Sequence, residues 1–387
     1  MPSVKERIGL SYPGRVSDRK LVPGRKELHP TRTVGQARID GWVNRLIFAD
    51  NLLALHTLLH THEVAGQIRL IYIDPPFSTD QDFRVGSTRT STVSASLRDR
   101  KAYEDRLVGP AYLEFLRQRL VLLRELLADN GSIYLHIDCK VGHYVKVLMD
   151  EVFGQERFIN DITRIKCNPK NFERRAYGNM KDMILFYSKS DAYVWNEQRE
   201  EMSQEDIVRL FPRIDEKGRR YTTSPLHAPG ETQNGPTGGL WEGLFPPSGR
   251  HWRYNPKELS RLDKQGLIEW SSTGNPRKKI YADEVACGGK KRQDIWTFKD
   301  PQYPSYPTEK NLELLETIIL SSSNPDDLVM DCFAGSGTTL VAAGKHGRRW
   351  IGIDNSLQAI KISSKRMAAL PESPLFTELR LSSANTE

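Results

Sequence analysis

The sequence predicts an α/β fold: a mainly parallel sheet with helices on both faces and a separate module inserted into it. Three observations predict it. Short apolar strands alternate with amphipathic helices from Arg45 to Phe153. The alternation returns between Asn311 and Asp354, and the stretch between these blocks loses it. Strands alternating with helices bury best as parallel strands under two helical layers.

Each element follows from its own pattern. Leu46 to Asp50 reads as a short buried strand, followed by a helix with Leu52, Leu55, Leu58 and Leu59 on one face. Ile68 to Ile73 is a stronger strand that ends at Asp74-Pro75-Pro76. Leu113, Leu116, Leu120, Leu123 and Leu127 mark a helix over Tyr112 to Leu127. Asp129-Asn130-Gly131 stops it, Ser132 to Ile137 is the next strand, and Val141 to Phe153 the next helix. After the module come a helix from Asn311 to Leu320 and a strand from Leu328 to Asp331. A glycine-rich turn from Phe333 to Gly337 leads into a helix from Thr338 to Lys345, then a strand from Trp350 to Asp354 and a helix after Ser356.

This divides the chain into a basic N-terminal arm (1–33), a catalytic domain in two pieces (34–158 and 305–375), a module (159–304) and a polar tail (376–387). The arm holds eight Lys/Arg against three Asp/Glu, with four prolines and no amphipathic period, which predicts a mobile or loosely docked segment. The module holds Trp195, Trp241, Trp252, Trp270 and Trp296 and the clusters Arg277-Lys278-Lys279 and Lys290-Lys291-Arg292. Within it, Met183 to Tyr187 is a candidate strand of the main sheet.

The formal net charge of the 387 residues is +7, which favours a polyanionic partner without selecting one. Cys139, Cys167, Cys287 and Cys332 show no zinc-ligand spacing, so no metal is expected. No apolar run reaches membrane-spanning length, so a soluble protein of a reduced cytoplasm, with no membrane partner, is expected.

Asp331-Cys332-Phe333-Ala334-Gly335-Ser336-Gly337-Thr338-Thr339 follows a strand and opens a helix. Glycines there let the backbone turn sharply and approach a ligand at a helix N-terminus. Asp354, about 20 residues on, is placed to grip ribose hydroxyls. A dinucleotide site would need a third glycine where Leu340 stands, and the Gly-Lys-Ser/Thr of a phosphate loop is absent. S-adenosyl-L-methionine (SAM), a nucleoside without a pyrophosphate, fits better.

Asp74-Pro75-Pro76-Phe77 ends another buried strand, at the sheet edge where open α/β folds bind ligands. Two prolines fix the backbone and remove two N–H donors. A carboxylate and a rigid carbonyl then form an acceptor pair for a planar amino group, and Phe77 offers a ring on which an extruded base can stack.

These residues resemble the amino-group DNA methyltransferases of the circularly permuted (β) type. Asp74 to Phe77 is similar to their catalytic motif and Asp331 to Thr339 to their SAM motif. Tyr306 to Lys310 with the following helix, and Asp50-Asn51-Leu52, are similar to two further family segments. Several smaller runs, including Gly249 to Arg253 and Asp294-Ile295-Trp296, look like the modification subunits of type III restriction systems. Two departures are visible: Gly178 to Asp182 stands where the family often has a histidine, and Glu309 stands in place of the more usual glutamine.

The resemblance implies a Rossmann-like SAM-dependent methyltransferase fold and in-line methyl transfer to the N6 amino group of adenine in flipped-out double-stranded DNA. The carriers it implies are Asp74, Pro75, Pro76 and Phe77. Asp331, Phe333, Gly335, Gly337, Thr338, Thr308 and Lys310 would hold SAM, with Asp354 at the ribose and Asp50 at the adenine ring. Asp as the first motif residue leans to adenine, because cytosine-amino enzymes of this family more often begin with Ser. N4-cytosine methylation is the alternative, and a catalytically silent DNA-binding protein is the alternative of another class. The module (159–304) becomes a target-recognition domain, and residues 78–105 a loop that orders over DNA. A homodimer, a restriction subunit and a bacterial or phage setting complete what the resemblance implies.

Overall fold

A computed structural model of the chain describes residues 8–17, 26–36, 40–76, 81–85, 100–105, 107–168, 173, 175–232, 234–302, 304, 309–371 and 374–381. The chain divides into two compact units, Met1–Asn196 with Gln293–Glu387, and Glu197–Arg292.

The larger unit is built on a ten-stranded sheet. In chain order its strands are β1 (Leu28–Val34), β2 (Asn44–Phe48), β3 (Ile68–Ile73), β4 (Leu127–Ile137), β5 (Phe158–Ile165), β6 (Lys181–Ser188), β7 (Ile295–Thr297), β8 (Leu328–Asp331), β9 (Arg349–Asp354) and β10 (Phe376–Leu381). Their spatial order is β1-β10-β2-β9-β8-β3-β4-β6-β5-β7. The run from β10 to β4 is parallel, β6 is antiparallel to both β4 and β5, and β1 is antiparallel to β10.

Side-chain alternation along each strand feeds two cores. Ile71, Ile73, Ile133 and Leu135 meet helices α1 (Asn51–Leu59), α2 (Gly109–Leu126) and α3 (Gly142–Phe153) on one face. Leu70, Tyr72, Tyr134 and Ile184 meet α4 (Leu312–Ser322), α5 (Thr338–Lys345) and α6 (Leu357–Ala368) on the other. The expected α/β sheet with helices on both faces is therefore what the chain forms.

The described residues bear on three of the expected divisions. Within 159–304, β5, β6 and β7 belong to the main sheet, and Glu197–Arg292 forms the second unit. The basic arm is docked where it is described: the Tyr12 hydroxyl donates to Glu114 at 2.9 Å, Arg15 pairs with Glu151, and β1 pairs with β10. The polar tail begins as a strand, since β10 runs through residues assigned to it, with Phe376 fully buried.

The smaller unit holds a four-stranded antiparallel sheet of Arg213–Ile214, Arg220–Pro225, Pro276–Tyr281 and Ile268–Trp270. Trp241, Trp252, Leu226, Leu259, Leu262 and Ile268 form its core. Trp270 is half exposed and stacks on Trp241 at 5.7 Å. Residues Gln81–Val85 and Arg100–Asp105 form an antiparallel ribbon within the stretch read as a loop; the remainder of 78–105 lies outside the described residues.

Candidate active site

Four neighbouring parallel strands, β2, β9, β8 and β3, end side by side, and each delivers one acid at its carboxyl end. The registers Asp354 opposite Phe48, Asp331 opposite Gly352 and Met330 opposite Ile71 align those ends. Asp50, Asp354, Asp331 and Asp74 thus line one crevice edge, the position where open α/β sheets bind ligands.

Asp331 is buried and spends its carboxylate on the turn that follows. It accepts from the Phe333 amide at 2.9 Å and from the Thr339 hydroxyl at 2.6 Å. Burial pushes its pKa up to about 7, against these two hydrogen bonds, with Asp74 and Asp354 adding to the rise. Asp354 accepts from the Gly335 and Ser356 amides, each at 2.8 Å, and burial raises it to about 6.

The turn needs its glycines. Gly335 and Gly337 adopt φ of 52° and 76°, and a Cβ on Gly337 would lie 2.7 Å from the Ser363 hydroxyl oxygen. Thr338 is buried at the start of α5, and its hydroxyl accepts from Arg366 at 3.1 Å. Arg366 also donates to the Ser336 carbonyl and pairs with Glu309 at 2.9 Å.

Asp50 caps α1 by accepting from the Leu52 and Leu53 amides, and its second oxygen lies 3.4 Å from Arg119. Asn51 donates to the Cys332 carbonyl at 2.8 Å and accepts from Arg119. The Arg119 guanidinium rests 3.6 Å above the Phe115 ring, which is 6.1 Å from Phe333. Beside them a hollow of about 750 Å³ is lined by Asp50, Phe115, Arg119, Pro13, Gly14 and Val16.

Asp74 has one engaged and one unengaged oxygen. Its Oδ2 lies 2.7 Å from the Lys310 ammonium, whereas Oδ1 is buried and, among the described residues, accepts no hydrogen bond. Pro75 is buried and Pro76 half-buried next to it. Lys310, expected at the cofactor, is therefore found on the Asp74 carboxylate. Phe77 and Thr308 lie outside the described residues.

Sequence reasoning missed a polar cluster behind Asp74. Tyr72, His136 and Asp182 lie on one sheet face and bond to one another: Tyr72 to His136 at 2.8 Å, His136 to Asp182 at 3.3 Å. The available signal was two polar residues, His136 and Asp182, set in or beside otherwise apolar strand runs. Among the described residues no group of three or more His, Cys, Asp or Glu could hold a metal, and no helix is long and apolar enough to cross a membrane.

Comparison with known proteins gives the crevice a family context. Residues 68–365 match the family described as DNA methylase (N6_N4_Mtase). The Type II methyltransferase M.EcaI of Enterobacter cloacae is 42% identical over 378 residues, spanning 95% of this chain and 79% of that protein. The StyLTI Mod subunit of a type III restriction-modification enzyme, from Salmonella typhimurium, is 26% identical over 326 residues. That match takes in 76% of this chain but only 49% of the subunit. The crystal structure of an M1.HpyAVI–SAM complex aligns with a TM-score of 0.44 and 17% identity, over 84% of this chain and 98% of that one.

Proposed function

This chain belongs to the DNA methylase family and uses S-adenosyl-L-methionine as cofactor, and from that premise we propose that it methylates the N6 amino group of adenine in double-stranded DNA at Asp74. The observation that carries the reading is the buried Asp74 Oδ1, which accepts no hydrogen bond among the described residues, next in the chain to the rigid Pro75 and one strand away from the Asp331 turn. An amino group has two hydrogens to give, and Asp74 Oδ1 and the Pro75 carbonyl receive them. Asp, rather than Ser, at the head of the motif supports adenine over cytosine.

The residues present suit this cofactor. Gly335 and Gly337 let it approach the backbone, and Phe333 and Phe115 provide an apolar ring wall. Asp50 and Asp354 keep lone pairs beyond the amide bonds they already accept and serve the adenine and ribose ends. Asp331 and Thr338 act one step back, by holding the turn in shape. When bound, the cofactor supplies an electrophilic methyl group on its sulfonium.

Asp74 and Pro75 draw the lone pair of the amino nitrogen out of the base's ring system by accepting both hydrogens. Lys310 pairs with Asp74 and orients it. Holding two reactants in line supplies much of the rate. Base flipping brings the amino group to Asp74, and Phe77 is the ring proposed to stack on it.

The smaller unit is the proposed target-recognition module. Arg277, Lys278 and Lys279 touch neutral groups in it, namely Thr223, Tyr254 and the Tyr221 ring, which leaves their charge for phosphates. Lys290, Lys291 and Arg292 are spent on Asp206, Glu197 and Glu200. A homodimer, a restriction subunit and a place in the bacterial cytoplasm fit this reading. Digesting treated DNA to nucleosides tests the base: N6-methyladenine is expected, and 4-methylcytosine as the sole product would refute adenine.

A further inference from the structure

Transfer of a methyl group from a sulfonium to a neutral amine leaves one proton to be removed. Asp74 is the first acceptor, and an acceptor chain stands behind it. His136 is completely buried, with Nδ1 4.0 Å from Asp74 Oδ1 and 2.8 Å from the Tyr72 hydroxyl. Its Nε2 is 3.3 Å from Asp182, which pairs with Lys166 at 2.6 Å and lies 3.7 Å from Arg164. Strand alternation makes the cluster: Tyr72 on β3, Tyr134 and His136 on β4, Asp182, Ile184 and Phe186 on β6, and Ile162 and Arg164 on β5 occupy alternate positions of paired strands.

The hydrogen-bond roles follow from the partners. The Asp182 carboxylate only accepts, so Nε2 carries the hydrogen; Nδ1 of the neutral ring is then the acceptor and Tyr72 the donor. Formal charges pair off around the ring: Asp74 with Lys310, Asp182 with Lys166, and Arg164 with Asp300. A neutral His136 is thus the uncharged member, and its Nδ1 lone pair faces Tyr72 and Asp74. Burying this many ionic groups is costly, and apolar side chains would pack the same space without the cost.

We propose that His136 is the second proton acceptor of the reaction, taking from Asp74 the proton that the target amino group loses. An N–H bond of the methylated amino group breaks as Asp74 Oδ1–H forms. That O–H bond then breaks as Nδ1–H forms, after the Tyr72 hydroxyl releases the Nδ1 lone pair and Asp74 Oδ1 closes in from 4.0 Å. The imidazolium rests between the carboxylates of Asp74 and Asp182 until product leaves and the proton returns to solvent. The inference rests on Asp74 as the methyl-transfer centre and holds for either base.

Among the described residues, the titratable and charged groups around His136 are Tyr72 and Asp74 from β3, Asp182 from β6, Arg164 and Lys166 from β5 and the residue after it, and Lys310 from the segment before α4. Burial lowers the His136 pKa, opposed by Asp182 and Asp74 and assisted by Lys310 and Arg164. The ring is therefore neutral and receptive above its usual titration range and loses that capacity only in more acidic solution.

Single-turnover methyl transfer, measured with the full chain, saturating S-adenosyl-L-methionine and duplex DNA from about pH 5 to 8, tests this. The wild type should lose rate on the acid side as His136 protonates. His136→Gln should be slower by roughly 10²-fold at the upper end and lack that acid limb. Tyr72→Phe removes a hydrogen bond that favours the neutral ring, so its limb should move to higher pH. A His136→Gln variant with the wild-type rate or the wild-type limb would overturn the proposal. So would a Tyr72→Phe limb that stays in place, which decides the matter even if the first variant does not fold. A wild type without any transfer would instead overturn the reading of Asp74.

Discussion

The Lys310 ammonium sits 2.7 Å from Asp74 Oδ2, joining the segment before α4 to the end of β3. Both side chains are largely buried, at 10% and 15% exposure, so neither charge is well served by water. Lys310→Met should therefore act on Asp74, the proposed centre of methyl transfer. The expected result is a fall in kcat of at least about tenfold, as for loss of a charge partner at a reacting group. The dissociation constant for S-adenosyl-L-methionine, measured by calorimetry, should change much less. A selective loss of cofactor affinity would return Lys310 to the role its motif first implied.

Glu309 and Arg366 form the neighbouring tie. Arg366→Ala would remove a charge partner from a Glu309 that is 11% exposed and release Ser336 and Thr338 from one guanidinium. Denaturant unfolding should show a loss of about 2–3 kcal/mol, below the figure for a fully buried pair. Glu309→Gln keeps a hydrogen-bond acceptor for Arg366 and should cost much less.

Cofactor affinity should depend on pH. Asp331 and Asp354, raised to about 7 and about 6 by burial, protonate in the ligand-free protein well above the usual carboxylate range. A cationic ligand at their end of the crevice favours the ionised forms. Affinity is then full above about pH 7 and weakens as pH falls through 7 to 6, by at most about tenfold per pH unit for each proton. The ligand-free protein behaves oppositely: the folded state binds protons the unfolded chain does not, so these two groups add stability as pH falls through that window. Titration calorimetry at several pH values checks the first trend and thermal melting the second.

The two basic clusters of the smaller unit should separate experimentally. Lys278→Ala with Lys279→Ala should weaken DNA binding and lower its salt slope by about 1 for each phosphate left without its lysine. Lys290→Ala with Lys291→Ala removes partners of Asp206, Glu200 and Glu197 and should lower the melting temperature while leaving the salt slope unchanged.

The strands that carry the site were legible because they are continuous apolar runs ending at marked turns. Ile68–Ile73 stops at two prolines, and Leu328–Asp331 stops at a glycine turn whose residues must adopt positive φ. The strands that were missed lack such a pattern. β1 has no fully buried residue, lies at the sheet edge and pairs with a segment more than 300 residues away. β7 is three residues long and finds its place only through parallel pairing with β5. The Tyr72–His136–Asp182 cluster was invisible for a related reason: its members come from three strands that only the fold makes neighbours, and strand alternation sets their common face. Lys310 was found by its motif, but its partner Asp74 could not be read from a run more than 200 residues distant.

The proposed chemistry depends on methyl transfer taking place at Asp74. Incorporation of labelled methyl groups from S-adenosyl-L-methionine into mixed-sequence duplex DNA, compared between wild type and Asp74→Ala, measures it directly. The wild type should label the DNA, and the variant should lose nearly all incorporation while still binding the cofactor. Equal labelling by the two proteins would contradict the assignment of Asp74.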